Sequence, residues 1–203
     1  MIGLLDYGMG NLSSVSNALD HLGIDNTIVN SSEVFSEISR LIIPGVGSYS
    51  RAMENINVNQ YLKEIKDFEA SGKPLLGICL GMQLLSFLGT EPSIVQGLEI
   101  IEGEVHLFPE DLDLRIPHVG WNGIELVNKH PILKDVKLDV DFYFVHSYHF
   151  SKAKEENIIA QTNYGIKFPS IVCNDTKNVI GIQFHPEKSQ KQGLKILENF
   201  SKL

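Results

Sequence analysis

The chain has 203 residues, 43% hydrophobic, with a net charge of −8 and no lysine- or arginine-rich block; that is enough for one sizeable core and argues against a nucleic-acid face. No apolar stretch approaches the ~18–20 residues of a membrane span, and MIGLLDYGMGN lacks the basic start of a signal peptide. The two cysteines, Cys79 and Cys173, are too few for a disulfide framework, so a soluble, acidic, cytoplasmic globular protein is expected.

The first third alternates two patterns. IGLLDY reads as a strand broken by GMGN. Leu12, Val15, Ala18, Leu19 and Leu22 then recur at helical spacing up to Gly23. NTIVN and RLIIPGVGS read as a second and a third strand, and residues from about 50 to 70 as one amphipathic helix stopped by SGKP. PLLGIC followed by LGMQLLSFLG repeats the strand-then-helix unit. Strands alternating with helices predict a parallel sheet covered on both faces. The second half changes character: LEIIEGEVHLF, NGIELV, DFYFVHSYHF, IIAQTNYG, SIVCND and VIGIQF are short β-rich runs separated by turn residues. They predict antiparallel strands added to the parallel core, and SQKQGLKILENFSK a closing helix. The expected architecture is a three-layer α/β domain over residues 1–203, with a mostly parallel central sheet, helices on both faces and added antiparallel strands.

Gly77-Ile78-Cys79-Leu80-Gly81 has the spacing of a sharp strand-to-helix elbow, with cysteine at the apex. A helix starting there would aim its free N–H groups at the sulfur and favour thiolate. The Leu80 N–H would supply half of an oxyanion hole. The bland alternative is a buried core thiol. A nucleophilic thiol needs a base, and GIQFHPEKS offers one: Pro186 holds His185 extended, and Glu187, two residues on, would share its side and orient the imidazole. His146 and His149, three apart in an aromatic strand, are expected on opposite sides, so no metal site is expected. YGMGNLSS lacks the third glycine of a dinucleotide fingerprint and reads as a tight turn, so no nucleotide cofactor is expected. PGVGSYS would bring backbone N–H groups to the same sheet edge as Cys79.

GICLGMQLL with QFHPEKS resembles the class I, triad-type glutamine amidotransferases. LLDYGMGNLSSVSNAL, LIIPGVGSYSRAM, IPHVGWN and FYFVHSY narrow the resemblance to the HisH family, the glutaminase subunits of imidazole glycerol phosphate synthase. The resemblance implies that Cys79 attacks the glutamine amide carbon, His185 moves the protons and Glu187 holds His185. It implies an oxyanion hole formed by Leu80 with Val46 and Gly47, each donor worth about 3 kcal/mol. Gly47, Gln83, Ser147 and Tyr148 would hold glutamine. No residues remain for an acceptor domain, and the family's partner is a separate (β/α)8-barrel cyclase. It takes the ammonia and converts PRFAR into imidazole glycerol phosphate and AICAR. Asn11, Trp121, Tyr143 and Lys188 fall at positions that imply contact with that partner, and hydrolysis is expected to rise when the liganded partner binds.

Three departures from the family pattern bear on the partner rather than the triad: Glu102 in place of a proline, an acidic EDLDL at 110–114, and Val119 in place of methionine. One alternative is a paralogous glutaminase supplying a surface-polysaccharide sugar amidotransferase. Two others are a stand-alone cysteine hydrolase, against which Gln83 and HPEKS argue, and a non-catalytic nucleotide-binding module.

Overall fold

The structure is a computed structural model and describes residues 1–109 and 114–203. In chain order the elements are β1 (Ile2–Leu5), α1 (Leu12–His21), β2 (Asn26–Val29), β3 (Arg40–Gly45), α2 (Tyr49–Val58), α3 (Tyr61–Ala70), β4 (Leu75–Cys79) and α4 (Leu80–Leu84). Then come β5 (Leu88–Gly89), β6 (Val95–Gln96), β7 (Glu104–Leu107), β8 (His118–Asn122), β9 (Glu125–Leu126), β10 (Phe142–His146) and β11 (Tyr148–Ser151). The chain ends with β12 (Ile158–Tyr164), β13 (Ile166–Cys173), β14 (Val179–Ile182) and α5 (Gln190–Phe200). No helix among the described residues is long and apolar enough to cross a membrane.

The main sheet has the order β2-β1-β3-β4-β14-β13-β12-β9, parallel from β2 to β14 and antiparallel beyond it. Its central strands β1 and β4 are buried along their whole length, as a sheet covered on both faces requires. One face packs on α1 and α5 through Val15, Leu19, Ile196 and Phe200. The other packs on α2 and α3 through Ala52, Ile56, Ile65 and Phe68. The three-layer expectation therefore holds. The added strands form two small sheets of their own, β10-β8 and β11-β7-β5-β6.

Local details depart from the sequence reading for identifiable reasons. The single helix expected over 50–70 is two, because Gln60 takes a left-handed conformation at φ +60° between α2 and α3. The helix after Cys79 lasts only five residues. The carbonyls of Leu84 and Leu85 accept N–H groups from Leu98, Ile100 and Ile101, so the 98–101 segment replaces the next helical turn. LEIIEGEVHLF forms a strand only over β7, and NGIELV ends β8 with Asn122 and is then a strand only over β9. DFYFVHSYHF divides into β10 and β11 at Ser147. That break puts His146 and His149 against the same Phe108 ring, at 5.3 and 4.8 Å between centroids, so they do not face opposite sides.

Candidate active site

Parallel pairing sets Gly45 opposite Cys79, which brings the loop at 45–47 beside the start of α4. Cys79 itself has φ +54° and ψ −107°. Such a backbone costs a non-glycine residue ~1–3 kcal/mol and persists only where its surroundings impose it. The flanking glycines are required by contact. A Cβ on Gly81 would stand 1.8 Å from the Ile43 oxygen, and one on Gly77 would stand 2.5 Å from the Gly81 oxygen. The elbow predicted from the spacing is therefore present. With α4 so short, the aligned peptide dipoles behind the sulfur are few, and the helix contributes less to holding negative charge there than the sequence suggested.

His185 follows β14 with an extended backbone, φ −96° and ψ 97°. Its side chain is buried, and its Nδ1 is 2.8 Å from Glu187 Oε1, also buried. Glu187 arrives by the 3₁₀ turn Pro186–Lys188 rather than by strand alternation, so the pairing was expected but its route was not. Among the described residues, His185 Nε2 and Glu187 Oε2 have no hydrogen-bond partner. Burial alone would lower the His185 pKa. An ionised Cys79 sulfur and the Glu187 carboxylate reverse that and hold the imidazole well above its usual range.

A cavity of about 210 Å³ opens over the thiol, lined by Val46, Gly47, Leu80, Gln83, Glu91 and the backbone and side chains of 145–148. It is smaller than the ~300–1,000 Å³ typical of sites for drug-sized ligands and suits a single amino acid. Wider hollows near Leu133 and near Leu194 are lined by no cysteine, serine or threonine. Gly47 has φ +108°, and the Met9 methyl covers the place its Cβ would occupy. Val46 is half exposed at the mouth. Gln83 Nε2 donates to the Tyr148 carbonyl oxygen at 2.9 Å, and His146 Nδ1 donates to the same oxygen at 2.8 Å. Ser147 lies between the β10 and β11 ladders and pairs in neither.

Three contributors escaped the sequence reading. Glu91 lines the cavity and accepts the Tyr49 N–H at 3.0 Å; burial raises its pKa. Nothing in TEPS marks it. Tyr7 is buried, donates to the Pro44 oxygen at 2.8 Å and supports the 45–47 loop from beneath. Burial first, then the Cys79 charge, raises its pKa and keeps it a donor. Gln183 is wholly buried, and its place two residues before His185 on an extended segment was a usable signal.

Of the four residues with an implied partner role, three are together. The Trp121 and Tyr143 rings meet edge to face at 5.8 Å, and Lys188 Nζ lies 5.8 Å from the Tyr143 ring centre. Trp121 is 47% exposed. Asn11 caps α1, its Oδ1 accepting the Ser14 N–H at 3.1 Å, and α1 packs against the turn that carries Lys188. Val119 is exposed on β8, and Glu102 pairs with Lys154 at 3.0 Å. Of the acidic EDLDL stretch, residues 110–113 lie outside the described residues.

Residues 3–203 match the family Glutamine amidotransferase class-I. In fold, the chain resembles a chain of the PurLQS structure from Thermotoga maritima, with a TM-score of 0.78, 18% identity and coverage of 99% and 97% of the two chains. A structure described as a glutamine amidotransferase aligns with a TM-score of 0.74 at 20% identity, covering 100% and 99%. Among curated relatives, imidazole glycerol phosphate synthase subunit HisH 1 of Campylobacter jejuni is 44% identical over the whole of both chains. The HisH subunit of Sulfurimonas denitrificans is also 44% identical, over 100% of this chain and 98% of its own. That of Methanosarcina barkeri is 43% identical over 97% and 96%. The chain belongs to the HisH family of class I glutamine amidotransferases.

Proposed function

We propose that this chain is one glutaminase domain, residues 1–203, in which Cys79, His185 and Glu187 hydrolyse L-glutamine and release ammonia to a cyclase subunit in histidine biosynthesis. The observation that carries the chemistry is the strained Cys79 over an amino-acid-sized cavity, beside a buried His185–Glu187 pair. With its proton on His185, the sulfur of Cys79 attacks the side-chain amide carbon and forms a C–S bond. The carbonyl electron pair moves to oxygen, next to the Leu80 N–H and the N–H groups of Val46 and Gly47. The tetrahedral intermediate collapses, the C–N bond breaks, and His185 gives its proton to the leaving nitrogen, which departs as ammonia. A water then gives a proton to His185 and attacks the thioester. Glutamate leaves, and the thiolate–imidazolium pair returns. Glu187 stabilises the imidazolium in both halves.

Substrate recognition follows from charge. The Glu91 carboxylate suits the glutamine ammonium group, and the Ser147 N–H suits its carboxylate, the Ser147 oxygen already accepting the Phe108 N–H at 3.1 Å. Gln83 Nε2 is committed to the Tyr148 and Gln183 oxygens, which leaves its Oε1 for the substrate.

The partner is read from Trp121, Tyr143 and Lys188, which form an aromatic and basic patch of the kind that anchors interfaces. The relatives' names favour the cyclase over a polysaccharide-modifying acceptor, for which no observation speaks. The test is glutamate and ammonia release by wild type and Cys79→Ala, with and without the barrel cyclase and its ligand. Strong activation that Cys79→Ala abolishes supports the reading. Hydrolysis indifferent to the cyclase removes the histidine-pathway partner, and hydrolysis surviving Cys79→Ala removes the nucleophile.

A further inference from the structure

Gln183 has no part in the steps above, yet it sits against the reacting atom. Its side chain is wholly buried, its Nε2 lies 3.7 Å from Cys79 Sγ, and its Oε1 faces Gln83 Nε2 at 3.2 Å. The polarity of this arrangement follows from one carbonyl. The Tyr148 oxygen only accepts, so the Gln83 atom bonded to it is the nitrogen. That nitrogen only donates, so Gln183 presents oxygen to it and leaves its NH2 to the sulfur.

We propose that Gln183 is a sulfur-holding residue whose amide N–H donates to Cys79 Sγ, favours the thiolate, and ties the nucleophile to Gln83 and the substrate it holds. The proposal rests on Cys79 being the nucleophile. A hydrogen bond to the charged form of a group favours that form. His185 must surrender its proton during turnover, whereas a carboxamide keeps its hydrogens and holds the sulfur throughout. As a thiol, Cys79 lies within donating distance of the Val145 oxygen at 3.7 Å. Once deprotonated it loses that contact, and the donor facing it among the described residues is the Gln183 amide. The ionisable groups around it come from several elements. They are Tyr7 after β1, Glu91 in the cavity wall, His146 at the end of β10, and His185 with Glu187 after β14. Tyr7 is already committed to the Pro44 oxygen.

The experiment follows iodoacetamide alkylation of Cys79 against pH in a Cys173→Ala background, beside kcat and KM for glutamine. Gln183→Met keeps the length and removes the donor. It is expected to move the alkylation midpoint up by about one pH unit and to lower kcat about tenfold with KM little changed. Gln183→Glu puts a carboxylate beside the sulfur and is expected to move the midpoint further in the same direction. Thermal unfolding shows that the variants fold; if Gln183→Met does not, Gln183→Glu and Gln183→Asn carry the same comparison. An unchanged midpoint in folded variants overturns the proposal. So does a rise in KM alone, which would make Gln183 a spacer behind Gln83. Failure of the nucleophile reading shows separately, as activity that survives Cys79→Ala.

Discussion

His118 Nδ1 and His146 Nε2 lie 2.9 Å apart, one imidazole hydrogen-bonded to the other. Because His146 Nδ1 donates to the Tyr148 carbonyl oxygen, its Nε2 is the acceptor and His118 Nδ1 the donor. Asn122 Nδ2 lies 3.3 Å from His118 Nε2, placed to donate to it. Both rings are therefore neutral, and burial lowers their pKa values to about 4 for His118 and about 3 for His146. Burial also lowers His130 and His149. Each has a folded pKa below its unfolded value of ~6.5, so the stability it contributes is complete above that value and is lost as pH falls below it. Chemical denaturation should show a decline from about pH 6.5 downward, and His118→Asn should flatten it. His185 has the opposite sign: its raised pKa adds stability that is complete below ~6.5 and is lost only as pH rises through the folded value. His185→Asn should leave the acid decline in place.

The buried Cys79–His185–Glu187 group predicts a graded loss of turnover. Cys79→Ala should reduce glutamine hydrolysis at least about a thousandfold without loss of fold, and His185→Asn by a similar factor. Glu187→Gln keeps the shape and loses the charge that holds the imidazolium, and should lower kcat about a hundredfold. It should also weaken the raised pKa of His185, which an NMR titration of that imidazole would register as a downward shift.

Glu91 should act on binding rather than chemistry. Its carboxylate accepts the Tyr49 N–H and has its other oxygen for the substrate ammonium. Glu91→Gln is expected to raise KM for glutamine about tenfold with kcat within about twofold, because a neutral amide replaces a charge-assisted contact. Equal losses in kcat and kcat/KM would place Glu91 in the transition state instead.

The patch on β8 and β10 should matter only to the complex. Trp121→Ala and Lys188→Ala are each expected to weaken cyclase binding, with Trp121→Ala costing about 2 kcal/mol, or roughly thirtyfold in Kd. Unstimulated glutaminase activity of Trp121→Ala, measured without the cyclase, should remain near wild type. Titration calorimetry of each variant against the cyclase reads this directly.

The elbow and the His185–Glu187 pair were legible because each leaves a mark on sequence: glycines where an added Cβ would stand 1.8–2.5 Å from a backbone oxygen, and proline fixing the residue before it. Parallel strands were legible as unbroken apolar runs. What stayed hidden depends on tertiary contact. The early end of α4 is decided by N–H groups arriving from 98–101, and the split of α2 from α3 by a left-handed Gln60 that local propensity does not announce. Glu91 was invisible because its role depends on Tyr49, 42 residues away. The shared side of His146 and His149 was misread because alternation was carried through Ser147, where one sheet ends and another begins.

The Tyr148 carbonyl, which receives both Gln83 and His146, makes one wall of the cavity a template. Turning that peptide over would break two hydrogen bonds at once and reverse the orientation handed on to Gln83 and Gln183. A molecule of the wrong outline therefore meets a surface that keeps its form, and is turned away by shape before its chemistry is tried.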